Sequence, residues 1–334
     1  MTRTSTLVIG AGLSGLTLAQ ALRQAGLDVS IIEKSGGIGG RLATRQDETG
    51  SFDHGAQYVT ARTAAFQSFI DKAANLGKAA AWNPRGKDRR GVWFCGLPGM
   101  NALTRPLTDD LAIRFGTEVT RIEKEEEGFT VYGRSDGQDE WSSPAARIIT
   151  AIPAPQAARL LAPLDPAFDM LQSVVMAPCL AVMVSFSNTI PLPVDMIRPD
   201  RHPILAWAAR NGSKPGRRDA ANENGGRGDD DWIIHATPQW SRRHLEQPPD
   251  VFAHAVLEAF VELVARSCDQ AIPVARHVTG HRWRHALCEK PLGKPFMASR
   301  DRRLFACGDW CLEGRAESAF TSGKTLADHL LAQM

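Results

Sequence analysis

The chain is short of the features that mark several protein classes. Its six cysteines, at 95, 179, 268, 288, 307 and 311, include no C-x-x-C pair. That removes the usual metal-ligand spacing, so no metal site is expected, and it suits reduced thiols in a cytoplasmic protein. Charge of one sign is nearly absent, with 39 Lys and Arg against 37 Asp and Glu and a net charge of +2. Neither nucleic acid nor a membrane surface is therefore an expected partner. No apolar run reaches the roughly 18 residues of a membrane-spanning helix, and no solenoid-length repeat occurs. Arg3 followed by an apolar stretch superficially suggests a leader, but those residues also build the glycine turn described next, and cleavage would destroy it. The hydrophobic share of 43% is ordinary for a globular core, and 334 residues predict two domains or one large one.

What is present begins at Thr6–Gly15, TLVIGAGLSG. Leu7–Ile9 is an apolar run suited to a parallel sheet. Gly10, Gly12 and Gly15 fit G-x-G-x-x-G, where the glycines permit a tight turn, a close pyrophosphate and a close helix in that order. Ala11, Leu13 and Ser14 complete the turn, and a helix over Leu13–Ala25 aims its amides and dipole at the phosphates. Asp28–Ile32 reads as the second strand. Glu33, about 20 residues past the glycines, accepts hydrogen bonds from a ribose, with Lys34 beside it. This motif alone does not separate NAD from FAD.

Three further segments favour FAD. Ser35–Arg41, SGGIGGR, lets the backbone pass close to a ligand at Gly40 and gives Arg41 reach to a phosphate or flavin edge. Asp53–Tyr58, DHGAQY, reads as a strand edge beside a flavin ring, with Ala56 and Gln57 in contact. Leu304–Asp309, LFACGD, follows a strand with Gly308 and Asp309, and Asp309 suits the ribityl hydroxyls. The helix start near Ser318–Phe320, including Ala319 and Phe320, aims its dipole at the flavin C2 carbonyl. Val119, from a β-meander over Ile113–Tyr132, joins the cofactor set. Three segments so far apart describe one long dinucleotide, bound noncovalently. Cys307 and Cys311 are the formal candidates for a covalent thioether, but Cys307 reads as packing between strand and turn.

The fold class expected is α/β. A Rossmann-type FAD-binding domain built from 1–62, 96–162 and 276–334 carries an inserted α+β substrate domain from 63–95 and 163–275. Helices are expected over Ala64–Leu76, Pro155–Leu161, Val251–Ala265 and Ala319–Gln333, and strands over Pro178–Phe186 and Trp232–Thr237. Asn83–Gly91 reads as a basic solvated loop. Asn211–Asp231, rich in Gly, Asn, Arg and Asp, reads as a mobile insert.

GAGLSGLTLAQAL, GGIGGR, DHGAQYVTAR, WIIHATPQWSRRHL, WRHA and LFACGDW with ESAFTSGKTLADHL resemble the renalase family, its bacterial members above all, within the FAD-dependent amine-oxidase-like superfamily. The resemblance covers nearly the whole chain. It implies a p-hydroxybenzoate-hydroxylase-like architecture with noncovalent FAD. It also implies oxidation of the 2-dihydro and 6-dihydro isomers of NAD(P) to NAD(P)+, with O2 taking the electrons to hydrogen peroxide. Such an enzyme repairs misreduced cofactor. The product is an aromatic pyridinium, so no general base is needed, and positioning is the protein's task. Substrate-pocket candidates are Tyr58, His235, Thr237, Trp283, His285 and Trp310, with Trp310 best placed after the Gly-Asp turn. Trp240 reads as packing; Arg242, Arg243 and Arg284 read as solvated surface. The expected assembly is a monomer or a weak dimer.

Two other readings stay open. An amine oxidase of this superfamily usually has a lysine near the flavin on a substrate-domain strand, and Pro178–Phe186 has none; its aromatic cage is hard to build from Tyr58 and Tyr132, the two tyrosines. A non-catalytic flavin-binding protein is the other.

Overall fold

The computed structural model describes residues 5–47, 50–87, 90–135, 140–217, 230–268 and 270–334. Its first sheet has six strands, in the order Met297–Ala298, Leu304–Ala306, Arg147–Thr150, Thr6–Ile9, Val29–Ile32 and Ala112–Arg114. All neighbours pair in parallel except the edge strand Met297–Ala298. Thr6–Ile9 lies in the middle and is buried throughout, as a parallel strand covered on both faces must be.

Strand alternation sorts the core into two layers. Leu7, Ile9, Ile148 and Leu304 face Phe129, Val131, Leu161 and Phe168. Val8, Ile31, Ile149 and Phe305 face Leu16, Leu22, Leu326 and Leu330. The second layer rests on two helices, Leu13–Gln24 and Ala316–Leu331. Glycines let them approach. A Cβ on Gly15 would stand 2.1 Å from the Gly10 carbonyl oxygen, and one on Gly323 would stand 2.3 Å from that of Ser14. The expected meander divides: Ala112–Arg114 joins the parallel sheet, whereas Thr117–Lys124, Phe129–Ser135 and Trp141–Ala145 form a separate antiparallel sheet.

The second large sheet is antiparallel, in the order Met196–Ile197, Leu205–Arg210, Asp230–Ala236, Val175–Phe186 and Ala275–Lys290. Leu180, Val182 and Val184 pack on Phe252, Val256 and Phe260 of the helix Pro249–Ala265. The opposite face carries Cys179, Ala181 and Met183. The Rossmann-type architecture with a second α+β unit matches expectation, with one correction. The boundary drawn at 276 cuts a strand, because Ala275–Lys290 pairs along Val175–Phe186 and belongs to the second sheet.

The expected mobile insert is described only at 211–217 and 230–231. Residues 218–229 lie outside the described residues, but its two ends are ordered by burial. Asn211–Ser213 is a 3-10 turn, and Asp230 already starts the strand to Ala236. Lys214 and Arg217 are 2% and 6% exposed, so this segment is a buried strap and not a free loop. Among the described residues no two cysteines form a disulfide, no helix is long and apolar enough to cross a membrane, and no His, Cys, Asp and Glu group could hold a metal.

Candidate flavin and substrate site

The parallel strands end at Ile9, Ile32, Thr150 and Ala306, and just beyond them Gly10, Glu33, Ala151 and, two residues past its strand, Gly308 open onto one cavity. Ligands of open α/β sheets bind at these carboxyl ends. The cavity holds about 1670 Å³, more than the roughly 300–1,000 Å³ of a site for one drug-sized ligand. It runs from the strand ends to the second sheet.

At one end Glu33 is 8% exposed, and its carboxylate accepts from the amides of Ala11 and Ser35 at 2.8 Å each and from the Ser35 hydroxyl. It thereby fixes the glycine turn, while Val119 and Lys34 line the wall beside it. Next comes the N-terminus of Leu13–Gln24. Gly10 has φ of 108°, a left-handed turn that glycine adopts freely. Gly12 caps the helix without a side-chain cap, so the first helical amides remain available. A Cβ on Gly12 would meet nothing within 4 Å; the space it points into is cavity. Bare amides, a positive helix end and open room fit a pyrophosphate, and the length of the cavity fits the rest of FAD.

Gly12, Leu13, Ser14, Gly40, Arg41, Ala56, Gln57 and Ala319 line the cavity. Three assigned residues lie behind it. Ala11 is buried on Glu33, Gly15 on the strand, and Phe320 against Phe66 and Phe69. Arg41 and Asp309 were assigned separately to phosphate and ribityl. In the cavity wall they also meet each other, in a forked ion pair of 2.9 and 2.5 Å, with Arg41 also donating to the Ala286 carbonyl.

The far end is set by register on the second sheet. Ala181 stands opposite His235 on one neighbour and His281 on the other; Cys179 stands opposite Trp283, and Trp207 opposite His235. The small Ala181 leaves a floor between two imidazoles. His54, from DHGAQY, stacks on Trp283 at 5.2 Å and meets His281 edge-on at 4.5 Å, while the Trp283 indole donates to the His54 carbonyl. Burial pushes His54, His235 and His281 down to about 4, so all three are neutral at pH 7. Lys214 adds to the effect at His235, and Arg45 at the other two. His54 Nδ1, His235 Nε2 and Trp207 Nε1 are buried without a hydrogen-bond partner among the described residues.

The structure brings Tyr58, His235 and Trp283 together at this end, whereas His285 lines the cavity within reach of Arg159, Lys34 and Arg41. Tyr58 stacks flat on Trp93 at 3.9 Å. Thr237 is not there: its hydroxyl caps the helix Pro238–Arg243 by accepting from the Trp240 amide and donates to the Pro203 carbonyl. Trp310 reaches the cavity wall but is wholly buried, its indole donating to the Ile152 carbonyl within the first core layer. It is a packing residue. Arg284 and Arg242 are surface residues paired with Glu246 and Glu289. Sequence reading missed His54, His281, Trp207 and Arg198. The pattern H-x-W-x-H at 281–285, three residues on one strand face, is the signal that would have found His281.

Behind Gln57 lies a buried charge cluster. Asp53 accepts from Lys214 at 3.0 Å, Arg217 at 2.6 Å, the Thr44 hydroxyl and the Met100 amide. Burial opposes ionisation of Asp53, but the two cations outweigh it and hold the carboxyl below its usual range.

Comparison with known proteins agrees with this geometry. Residues 8–73 match a family model described as an NAD(P)-binding Rossmann-like domain, and residues 64–331 one described as flavin containing amine oxidoreductase. The fold is similar to that of a putative protoporphyrinogen oxidase from Exiguobacterium sp. 255-15 (TM-score 0.76, 12% identity, 100% of each chain). It is also similar to cyclohexylamine oxidase from Brevibacterium oxydans IH-35A (TM-score 0.73, 14%, 99% of each) and to a putrescine oxidase triple mutant (0.69, 13%, 99% of each). A possible lysine-specific histone demethylase 1 of Drosophila melanogaster is 44% identical over 54 residues, 16% of this chain and 6% of that protein. The chain belongs to the flavin-containing amine oxidoreductase family, and its cofactor is FAD.

Proposed function

We propose that the protein is an oxidase of the 2- and 6-dihydro isomers of NAD(P), giving NAD(P)+ and, with O2 and a proton, hydrogen peroxide. This is the repair activity that the renalase-like motifs imply. FAD, when bound, supplies the hydride acceptor. The observation that carries the reading is the chemistry of the substrate end. His54, His235 and Trp207 offer unpartnered nitrogens without charge. They suit a neutral ring bearing a polar substituent such as a carboxamide. Around them Arg45, Arg198 and Arg282 line the cavity, which suits the phosphates of a dinucleotide.

Among the described residues a protonated amine finds no counter-ion there. Of the acids lining the cavity, Glu33 is held by amides, Asp309 by Arg41, and Glu118 sits on the Val119 side. The residues at the substrate end orient a ring and exclude water; none needs to remove a proton, because aromatisation to a pyridinium releases only the hydride. The second reading, oxidation of a small neutral amine, is favoured by the similarity in fold to cyclohexylamine oxidase and putrescine oxidase. Peroxide release by the holoprotein, measured with borohydride-generated dihydro-NAD isomers and with cyclohexylamine and putrescine, separates the two. Turnover of the isomers alone is expected. Turnover of amines alone would replace this reading with the second.

A further inference from the structure

The strap Asn211–Arg217 places two cations against one carboxylate in the protein interior. Lys214 and Arg217 both pair with Asp53 Oδ2, and their side chains are 0% and 2% exposed. Neither makes another ion pair among the described residues. Burial pulls the Lys214 ammonium down from its usual range, the Asp53 carboxylate opposes that pull, and the acceptors around the nitrogen hold the charged form. Its Nζ has three acceptors, Asp53 Oδ2 at 3.0 Å, Gln57 Oε1 at 2.9 Å and Asn211 Oδ1 at 3.3 Å. An ammonium has three hydrogens for three acceptors. A neutral amine would point its lone pair at an oxygen. Arg217 stays charged in any protein environment and also donates to the Gly96 and Pro215 carbonyls. Cys95, beside them, is pushed up to about 12 by burial and contributes no negative charge. The cluster therefore carries one positive charge in excess, sealed from water and from screening salt.

Gln57 separates that charge from the cavity. Lys214 takes its oxygen, which turns its amide nitrogen to the carbonyls of Asp53 and Gly55. Gln57 lines the cavity and donates to the carbonyl of Gly55, where a Cβ would stand 3.4 Å from the Trp283 ring of the substrate end. A dinucleotide anchored by its pyrophosphate at Gly12, with a ribose at Glu33, has its redox-active ring at this end.

We propose that Lys214 and Arg217, with Asp53, form a fixed net positive charge behind Gln57 that favours the reduced, more negative state of the bound FAD. They act through the field across Gln57 and do not touch substrate. The claim concerns the cofactor alone and is independent of which substrate is oxidised.

The midpoint potential of FAD-saturated protein, equilibrated anaerobically with a reference dye, tests it. Lys214→Met and Arg217→Met each remove one positive charge. Each is expected to lower the equilibrium constant for flavin reduction about tenfold, the scale of one unit charge acting over about 10 Å at an effective dielectric of about 20. Lys214→Arg keeps the charge and should keep the potential. Asp53→Asn removes the negative charge and should shift the potential the opposite way, whereas damage to packing would shift all variants alike. Should Asp53→Asn fail to fold, the two methionine variants still decide. An unchanged or raised potential in either of them overturns the proposal.

Discussion

Gly12 and Trp310 show how differently two residues of one site respond to substitution. Gly12 has φ of −76°, open to any residue, and its Cβ direction is empty. Gly12→Val should therefore leave the fold intact and abolish FAD retention. The check is flavin content after purification beside an apoprotein thermal transition that does not move. Trp310 is 0% exposed among core side chains. Trp310→Ala should cost on the order of 3–5 kcal/mol of stability, read by urea unfolding, with FAD loss following from unfolding. The histidines add a pH dependence. Burial holds His54, His235 and His281 at about 4, below the usual 6.5. At pH above 6.5 both folded and unfolded forms are neutral. As pH falls from about 6.5 towards 4 the unfolded chain takes up protons that the folded one refuses, so stability declines. Asparagine in place of His235 should flatten the decline of the melting temperature over that window; an unaltered slope would mean that His235 is not held neutral.

At the scale of elements, local rules were readable and pairing was not. The glycine turn, Leu13–Gln24 and Glu33 were legible because strand, turn, helix and acid follow one another within the chain. Ala64–Asn75, with its Thr63 cap, was legible from apolar spacing. The strand Ala275–Lys290 was not, since its residues are mostly half-buried and polar, and only pairing with Val175–Phe186 makes it a strand. The strap Asn211–Arg217 defeated composition for a similar reason. Polar residues usually mean solvent, but here Asp53, Gln57 and Ser51 supply buried partners from another part of the chain. Helix packing yields a prediction of its own. A Cβ on Gly323 would press on the Ser14 carbonyl, so Gly323→Val must separate two helices that hold the phosphate turn. A stability loss of about 1–3 kcal/mol is expected, together with weaker FAD binding, by urea titration and flavin release.

Across the whole molecule, the parallel sheet provides the dinucleotide anchor and the antiparallel sheet closes the ring end with uncharged nitrogens inside a basic rim. The anchor half was legible in the sequence. The rim was legible only as scattered arginines, because the fold alone decides which of them share a mouth. Attraction of a phosphate-bearing substrate to such a rim is screened by salt. With dihydro-NAD isomers, kcat/KM should therefore fall as ionic strength rises, while kcat stays nearly level; steady-state rates across a salt series check this.

The most direct measurement is anaerobic rapid mixing of the FAD-loaded protein with separate samples of 2-dihydro-NAD, 6-dihydro-NAD, 4-dihydro-NADH and simple amines, following the oxidised-flavin absorbance. Fast bleaching by the 2- and 6-dihydro forms, with none by 4-dihydro-NADH or amines, is the expected result. Bleaching by amines and not by the isomers would contradict it.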